Sequence, residues 1–593
     1  MDEEIFVIHP DQTLNCLLIH TKFSEFSYWN YRISCEALGA KTPSAPLGLI
    51  TVAAILPQHW QFRLLDLNAR EFSEVDWDWA DIVCIGGMLP QQTAMLSYIN
   101  KAKKEQKFVV CGGADPSSQP DLYHEADVII IGEGENTIPL WLESWRNGEP
   151  RGRFSAKEKP DVSLSPVPRF DLLNFRDYLQ VGVQYSRGCP FNCEFCDIIE
   201  LFGRVPRTKS ETQFLNELDV LYKLGYRGSL EFVDDNFIGN KRLVKRKLMP
   251  ALIDWQRRHK YPYFFHTEAS MNLADDKKLL RQLRAADFRF IFMGIESPDP
   301  EILLQTQKSQ NTMGDISKRI QTLYDYGIVV FGGFILGFDG EKKGVDRSMI
   351  RLIEEANVAI AMVGLLVALP NTQLTRRLQR EGRLVNLKGE SIPSAQLANG
   401  GDTRGAVIEV VDQTTAGLNF ITKRSREEIF DEYSRVVSHI YDPKVFADRV
   451  LRTAKAIKFR PRHLPSFVEL LRQLRGFCRV SLWFSKRRSS RYQYWRVVFK
   501  AALMGPFKFE VAMKLMGLYL HLEDQTSYVL NNVEKLKVFG REFDKRQQTR
   551  DIEEQMKIAT VTAKVIPDFL PLEAIGKAPS ASALQFDTSS ANL

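Results

Sequence analysis

The run Ser186-Arg-Gly-Cys-Pro-Phe-Asn-Cys-Glu-Phe-Cys-Asp197 gathers Cys189, Cys193 and Cys196 into one short loop with C-x3-C-x2-C spacing. Thiolates that close can share one soft metal centre, and cuboidal iron–sulfur clusters are held by such runs. Three local ligands for four irons leave one iron open, as a cluster that binds a substrate requires. A structural zinc site would need a fourth ligand and is usually built from two paired-cysteine motifs, and no second pair exists in the chain. Cys16, Cys35, Cys84, Cys111 and Cys478 are scattered through apolar or mixed segments, so a disulfide framework is not indicated.

Working outward, Val181–Ser186 reads as a strand entering the cysteine loop. Further short apolar strands follow near Ser229–Val233, Phe264–Glu268, Phe290–Gly294, Val329–Leu336 and Val363–Ala368. Helical segments such as Glu211–Lys223 and Asp275–Ala285 lie between them. Six such βα units over residues 179–386 predict a partial (β/α)6 barrel with its chemistry at the C-terminal mouth. Upstream, residues 1–150 alternate strands at Leu14–His20, Phe62–Asp66, Ile82–Gly86, Phe108–Cys111 and Val128–Gly132 with helices at Pro46–Leu56 and Gln91–Gln106. That alternation predicts a doubly wound parallel sheet, whose ligands sit at the carboxyl ends of its strands. Loops fall at those ends: Ala45-Pro46-Leu47-Gly48-Leu49, Gly86-Gly87, Gly112-Gly113 and Gly132-Glu133-Gly134-Glu135. Residues 151–178, rich in Pro and charge, read as a linker. The pattern is helical over residues 387–570, at Arg426–His439, Pro443–Lys458 and Glu510–Leu536. Residues 571–593, rich in Ala and Ser, read as a disordered tail.

With Phe195 just before its third cysteine, the loop resembles that of the radical S-adenosylmethionine (SAM) superfamily, where the open iron of a [4Fe-4S] cluster chelates SAM. The glycine loops of residues 1–150 resemble the cobalamin-binding domain of the B12-dependent radical SAM class. The resemblance implies cobalamin contacts from Pro46, Leu47, Gly48, Gly86, Gly113, Gly132, Glu133, Gly134 and Glu135. The Asp-x-His-x-x-Gly signature that supplies an axial histidine in other B12 enzymes occurs nowhere in the chain. For SAM it implies Phe195, Asp234 in Val233-Asp-Asp-Asn-Phe237, Glu296 in Met293-Gly-Ile-Glu-Ser297, Gly333 and Gly337 in the strand Gly332–Asp339, and Pro370 in Ala368-Leu-Pro-Asn-Thr372. Asp235 and Asn236 are further candidates, and Tyr185 and His266 are expected near the same mouth. Asn419-Phe-Ile-Thr422 is expected to fold back over it.

The order of the three regions, with the run Cys196-Asp-Ile-Ile-Glu-Leu-Phe-Gly-Arg204, resembles a subgroup that includes bacterial hopanoid C-2 methylases. The resemblance implies a C-methyltransferase acting on an unactivated carbon of a lipid-like substrate, reduced by a donor such as flavodoxin or ferredoxin. The alternatives are a B12-dependent radical enzyme that oxidises, cyclises or rearranges without methyl transfer, and a non-catalytic cluster and B12 sensor.

The net charge of +6 over 593 residues hides an asymmetry. Residues 451–510 hold 15 Lys/Arg and 2 Asp/Glu, a balance of +13, so the remainder sums to −7. Interleaved aromatics (Trp483, Phe484, Tyr492, Tyr494, Trp495, Phe499) make this stretch a candidate for peripheral membrane contact. Basic and aromatic residues also serve nucleic acids, but no RNA-binding module is recognised and no such partner is expected. The N-terminal residues lack a signal-peptide pattern, and free thiols with an oxygen-sensitive cluster fit a reducing cytoplasm.

Overall fold

The computed structural model describes residues 9–385, 417–458 and 467–565; the expected tail at 571–593 lies outside the described residues. Fifteen strands are present among them, in chain order β1 (Asn15–His20), β2 (Thr42–Ser44), β3 (Gln61–Asp66), β4 (Ile82–Gly86), β5 (Phe108–Gly112), β6 (Val128–Ile131), β7 (Gly152–Ser155), β8 (Tyr178–Val183), β9 (Ser186–Arg187), β10 (Arg207–Thr208), β11 (Gly228–Phe232), β12 (Tyr263–Glu268), β13 (Phe288–Glu296), β14 (Val329–Leu336) and β15 (Ile360–Leu365).

The first sheet has the order β3-β1-β4-β5-β6-β7. Every neighbouring pair in it is parallel. Its central strands β1, β4, β5 and β6 are short apolar runs buried on both faces, as covering helices on each side demand, while the edge strands β3 and β7 are more exposed. Cys16, Leu18, Ile82, Val110 and Trp141 pack on one face, and Leu17, Ile85, Val109, Ile99 and Trp77 on the other. Two of the free cysteines, Cys16 and Cys84, are simply core residues here, with sulfurs 3.5 Å apart across adjacent strands.

The second sheet is an open, curled parallel half-barrel of order β15-β14-β13-β12-β11-β8-β2. All six strands expected from the sequence are present. The seventh, β2, comes from the N-terminal region and pairs with β8 through Thr42↔Tyr178 and Ser44↔Gln180. A three-residue strand carries no periodic signal, so nothing in the sequence marks it. It is continuous with the helix Arg32–Leu38, whose Cys35 and Ala37 bury into the half-barrel's core, so the first 50 residues are shared between the two sheets.

Helices Arg426–Ile440, Pro443–Ala456, Phe467–Lys486, Arg491–Ala502 and Pro506–Val565 make up the described C-terminal region. Their apolar faces (Tyr433, Val437, Phe446, Val450, Tyr519) merge with the half-barrel core. The chain divides into two compact units after Val538. No described helix is long and apolar enough to cross a membrane.

Candidate active site

The cysteine loop leaves β9 and ends at the short helix Ile198–Leu201. Its base is held by three consecutive side chains from the end of β11. Asp234 accepts from the Tyr185 and Ser186 N–H groups (3.0 and 2.5 Å) and from the Ser186 hydroxyl. Asp235 accepts from the Gly188 N–H at 2.7 Å. Asn236 directs Nδ2 at the Cys189 sulfur, 3.8 Å away. Both carboxyls are pushed up by burial, Asp234 to about 6 and Asp235 to about 7, against the hydrogen bonds they accept. Asp234, expected against SAM, here has both carboxylate oxygens hydrogen-bonded at the base of the loop. Tyr185, expected at the mouth, is buried with its ring edge-on to Phe214.

The three sulfurs share one electrostatic environment. The Lys308 ammonium acts electrostatically on the cysteine loop and bonds Glu296 at 2.7 Å. Burial opposes the Lys308 charge, but Glu296 and the Cys193 and Cys196 sulfurs outweigh it and raise its pKa. Gln310 points Nε2 at the Cys193 sulfur from 3.6 Å, and its buried Oε1 has no hydrogen-bond partner. Burial raises the Cys189 and Cys196 thiols, and a bound metal would take the proton's place. Among the described residues no three such side chains already stand in coordinating geometry, and the cysteines are free thiols. Three thiols in one loop, amide donors aimed at two sulfurs and a fixed cation beside them fit an iron–sulfur cluster with three protein ligands.

Glu296 ends β13 with φ +67, at a register shift between Gly294 and Glu296. A glutamate held in that strained region is a mark of a functional position. Phe195 packs against Phe338 at 5.7 Å, beside Gly337. Gly337 has φ +105, and an added Cβ would lie 2.5 Å from Leu418. Gly333 makes room for the Phe292 ring, since a Cβ there would stand 2.8 Å from it. Asn419 does fold back as expected: its side-chain amide donates to the Ala368 carbonyl (2.9 Å) and accepts from the Ala368 N–H (2.7 Å). It thereby pins the loop that carries half-buried Pro370. Glu194, inside the cysteine loop, is tied to the same edge through Arg377 and Asp339.

On the half-barrel strands β12, β13 and β14, Phe264, Phe290, Phe292 and Phe331 are only partly buried. Strands β2, β8 and β11 carry a polar group: Gln180 donates to Glu231 (2.6 Å) and to Ser44 (2.7 Å), and Ser44 donates to Glu231. His266 bonds the Ser229 hydroxyl at 2.9 Å, and burial lowers its pKa, keeping the imidazole neutral. Lys514, from the helix Pro506–Val565, lies over the Phe264 ring at 4.7 Å. Desolvation, with Glu231, Asp235 and Glu296 adding and Lys308 subtracting, pushes the Glu268 carboxyl up to about 8, although the residue is exposed at the end of β12.

At the carboxyl edge of the first sheet, Gly86, Gly113 and Gly132 follow β4, β5 and β6 as expected, and Pro46-Leu47 opens the helix Leu47–Ile55. Gly113 has φ +104 and approaches Gly87 so closely that a Cβ would be 2.8 Å from its oxygen. Nothing lies within 4 Å of where a Cβ would stand at Gly48 or Gly132, leaving backbone open to a flat ligand. Leu47 packs toward Gly182 of β8, and Gly134 toward Ile138 and Ile55. Glu133 and Glu135 are turned elsewhere: Glu133 pairs with Arg187 and Arg207, and Glu135 with Arg187 and the Ser165 hydroxyl. Their charges are neutralised there by Arg187 and Arg207. Arg187, Lys308 and Glu231 were not identified from sequence. Arg187 adjoins the cysteine motif and was the one with a positional hint.

These features define a radical SAM enzyme with a second, cobalamin-type binding domain. Residues 38–141 match the B12 binding domain, 183–353 the Radical SAM superfamily, and 372–535 a domain of unknown function (DUF4070). The chain is 40% identical over 93% of its length, and 100% of the other's, to an uncharacterized methyltransferase, sll1242, of Synechocystis sp.. It is 34% identical to the hopanoid C-2 methylase of Rhodopseudomonas palustris, over 75% of this chain and 84% of that one. Among solved structures, the cobalamin-dependent SAM radical enzyme OxsB with aqua-cobalamin bound superposes with a TM-score of 0.53 at 15% identity, over 89% of this chain and 84% of that one. The chain belongs to the cobalamin-dependent radical SAM methyltransferase family, and its cofactors are a [4Fe-4S] cluster, SAM and cobalamin.

Proposed function

We propose that this methyltransferase acts on an unactivated carbon of a lipid-like, hopanoid-type substrate. The observation that carries the reading is the 34% identity to a hopanoid C-2 methylase across three quarters of the chain. The partly buried rings of Phe264, Phe290, Phe292 and Phe331 on the half-barrel strands support it, because they offer an apolar polycycle a large contact area at little entropic cost.

When bound, the cofactors supply the radical and the methyl group, and this chain supplies position and environment. Cys189, Cys193 and Cys196 hold the cluster, with Asp234, Asp235 and Asn236 fixing their loop. Glu296, Gly333, Gly337, Phe195 and Pro370 line the SAM edge, and Lys308 sets the charge between that edge and the sulfurs. Pro46, Leu47, Gly48, Gly86, Gly113, Gly132 and Gly134 present backbone and apolar surface to the corrin. The same reading includes a flavodoxin or ferredoxin as reductant, and a cytoplasmic protein in peripheral contact with the inner membrane face.

The test is anaerobic reconstitution with iron, sulfide and cobalamin, then reduction with methyl-labelled SAM in the presence of lipid extract. Labelled methyl in a polycyclic lipid is expected. Deoxyadenosine without any methylated lipid would sink the substrate class. Cys193→Ala is expected to abolish SAM cleavage, and retained cleavage would remove this cysteine from the cluster.

A further inference from the structure

The helix Arg491–Ala502 is amphipathic in an unusual sense, since both of its long faces carry apolar residues. One face, with Tyr494, Val497, Val498 and Ala501, is buried. Tyr494 stacks on Phe484 at 4.3 Å and its hydroxyl meets Ser481 at 2.7 Å. The other face is a stripe of Tyr492, Trp495, Phe499 and Leu503, with exposures of 72, 37, 68 and 91%. At 3.6 residues per turn these four fall within an arc of about 80°. A contiguous exposed stripe of this kind is a contact surface, whereas scattered apolar side chains are ordinary.

Charge identifies what the stripe meets. Residues 470–503 contain nine Lys/Arg and no Asp/Glu. Arg487 is matched by Glu523 and Asp524, and Arg496 by Asp448. Lys486, Arg488, Arg491 and Lys500 have no acidic partner among the described residues. Arg491 and Lys500 flank the stripe on opposite sides. Cations beside Trp, Tyr, Phe and Leu on one helix face suit an anionic bilayer surface: the apolar stripe enters the acyl boundary while the cations meet phosphate headgroups. The next-preceding helix, Phe467–Lys486, adds exposed Leu470, Leu474 and Leu482 in the same basic stretch.

We propose that the Tyr492–Trp495–Phe499–Leu503 stripe, with Arg491 and Lys500 beside it, is a docking surface for a bilayer of anionic phospholipid. It gives a place to the peripheral membrane contact proposed above. The recognition is of phospholipid headgroups and acyl chains, so it stands even if the substrate is not a lipid.

The test is flotation of the full-length protein with vesicles that lack any polycyclic lipid, made either of phosphatidylcholine alone or with 30 mol% phosphatidylglycerol (about a third, enough to give a clearly negative surface). Binding to the anionic vesicles is expected, falling at least ~10-fold in 0.5 M salt, on the order of a Debye length shrunk to a few ångströms. W495S/F499S is expected to lose that binding with an unchanged circular dichroism spectrum and unchanged SAM cleavage. R491E/K500E is expected to lose it while leaving the stripe intact. Absence of vesicle binding, or equal binding by W495S/F499S, would overturn the proposal. So would a dimer dissociated by W495S/F499S, since the stripe would then belong to a second copy.

Discussion

Arg187 and Glu135 form a two-pronged ion pair, Nη2 to Oε1 at 2.7 Å and Nη1 to Oε2 at 3.0 Å, between the strand that launches the cysteine loop and the last glycine loop of the first sheet. Glu133 joins it at 2.8 Å and is shared with Arg207. The pair is almost wholly buried. Its planar fork fixes orientation as well as distance, so it sets how the loop meant for the cluster lies against the loop meant for cobalamin. Arg187→Lys keeps the charge and loses the fork. Methyl transfer is expected to fall at least ~10-fold relative to deoxyadenosine formation, a cost of about 1.4 kcal/mol in alignment. The measurement is the ratio of deoxyadenosine to methylated product. An unchanged ratio would reduce the pair to a structural tie.

Lys308 acts electrostatically on the cysteine loop, and Glu296 holds it there at 2.7 Å. A fixed positive charge beside a cluster stabilises the added electron. Lys308→Met is expected to move the cluster midpoint to more negative potential and slow SAM cleavage while iron content is retained, as read by an electron paramagnetic resonance titration. An unmoved midpoint would separate Lys308 from the cluster's electronics. The same variant leaves Glu296 buried without its partner, so a stability loss of about 3 kcal/mol or more is expected.

Where the sequence was informative, the reason is periodicity or spacing. Ile82–Gly86 and Val329–Leu336 were read with their observed limits because continuous apolar runs ending in glycine mark buried parallel strands. The cysteine triad was legible because its ligands are local. What stayed hidden depends on contacts far apart in the chain. Ser44 meets Glu231 across 187 residues and Arg187 meets Glu133 across 54, and no local pattern announces either pairing. Glu133 and Glu135 show the limit of composition, which does not announce the guanidiniums of Arg187 and Arg207 opposite them. Likewise Asp234 accepts from the backbone of Tyr185 and Ser186, 49 and 48 residues away in sequence, which no local pattern announces.

Glu341 gives the fold a pH dependence of definite sign. It is buried, accepts the Gly337 N–H at 2.9 Å, and has no hydrogen-bond partner for its Oε1. Burial pushes its carboxyl up to about 8; Arg424, 3.9 Å away, opposes the rise and Glu432 adds to it. A free glutamate titrates near 4.5. Below that value folded and unfolded chains both carry the proton and Glu341 has no effect on the balance. Between about 4.5 and about 8 the unfolded chain releases the proton and the folded chain keeps it, so stability falls as pH rises, by roughly 1.4 kcal/mol per unit. Above about 8 the loss is complete, on the order of 4–5 kcal/mol. Glu341→Gln keeps an oxygen for Gly337 and removes the titration. Its stability relative to the parent is expected to climb through pH 5 to 8 and then level off, as measured by urea unfolding at stepped pH. A difference that stays flat across that window would show that Glu341 is ionised in the folded protein, with Arg424 as its true partner.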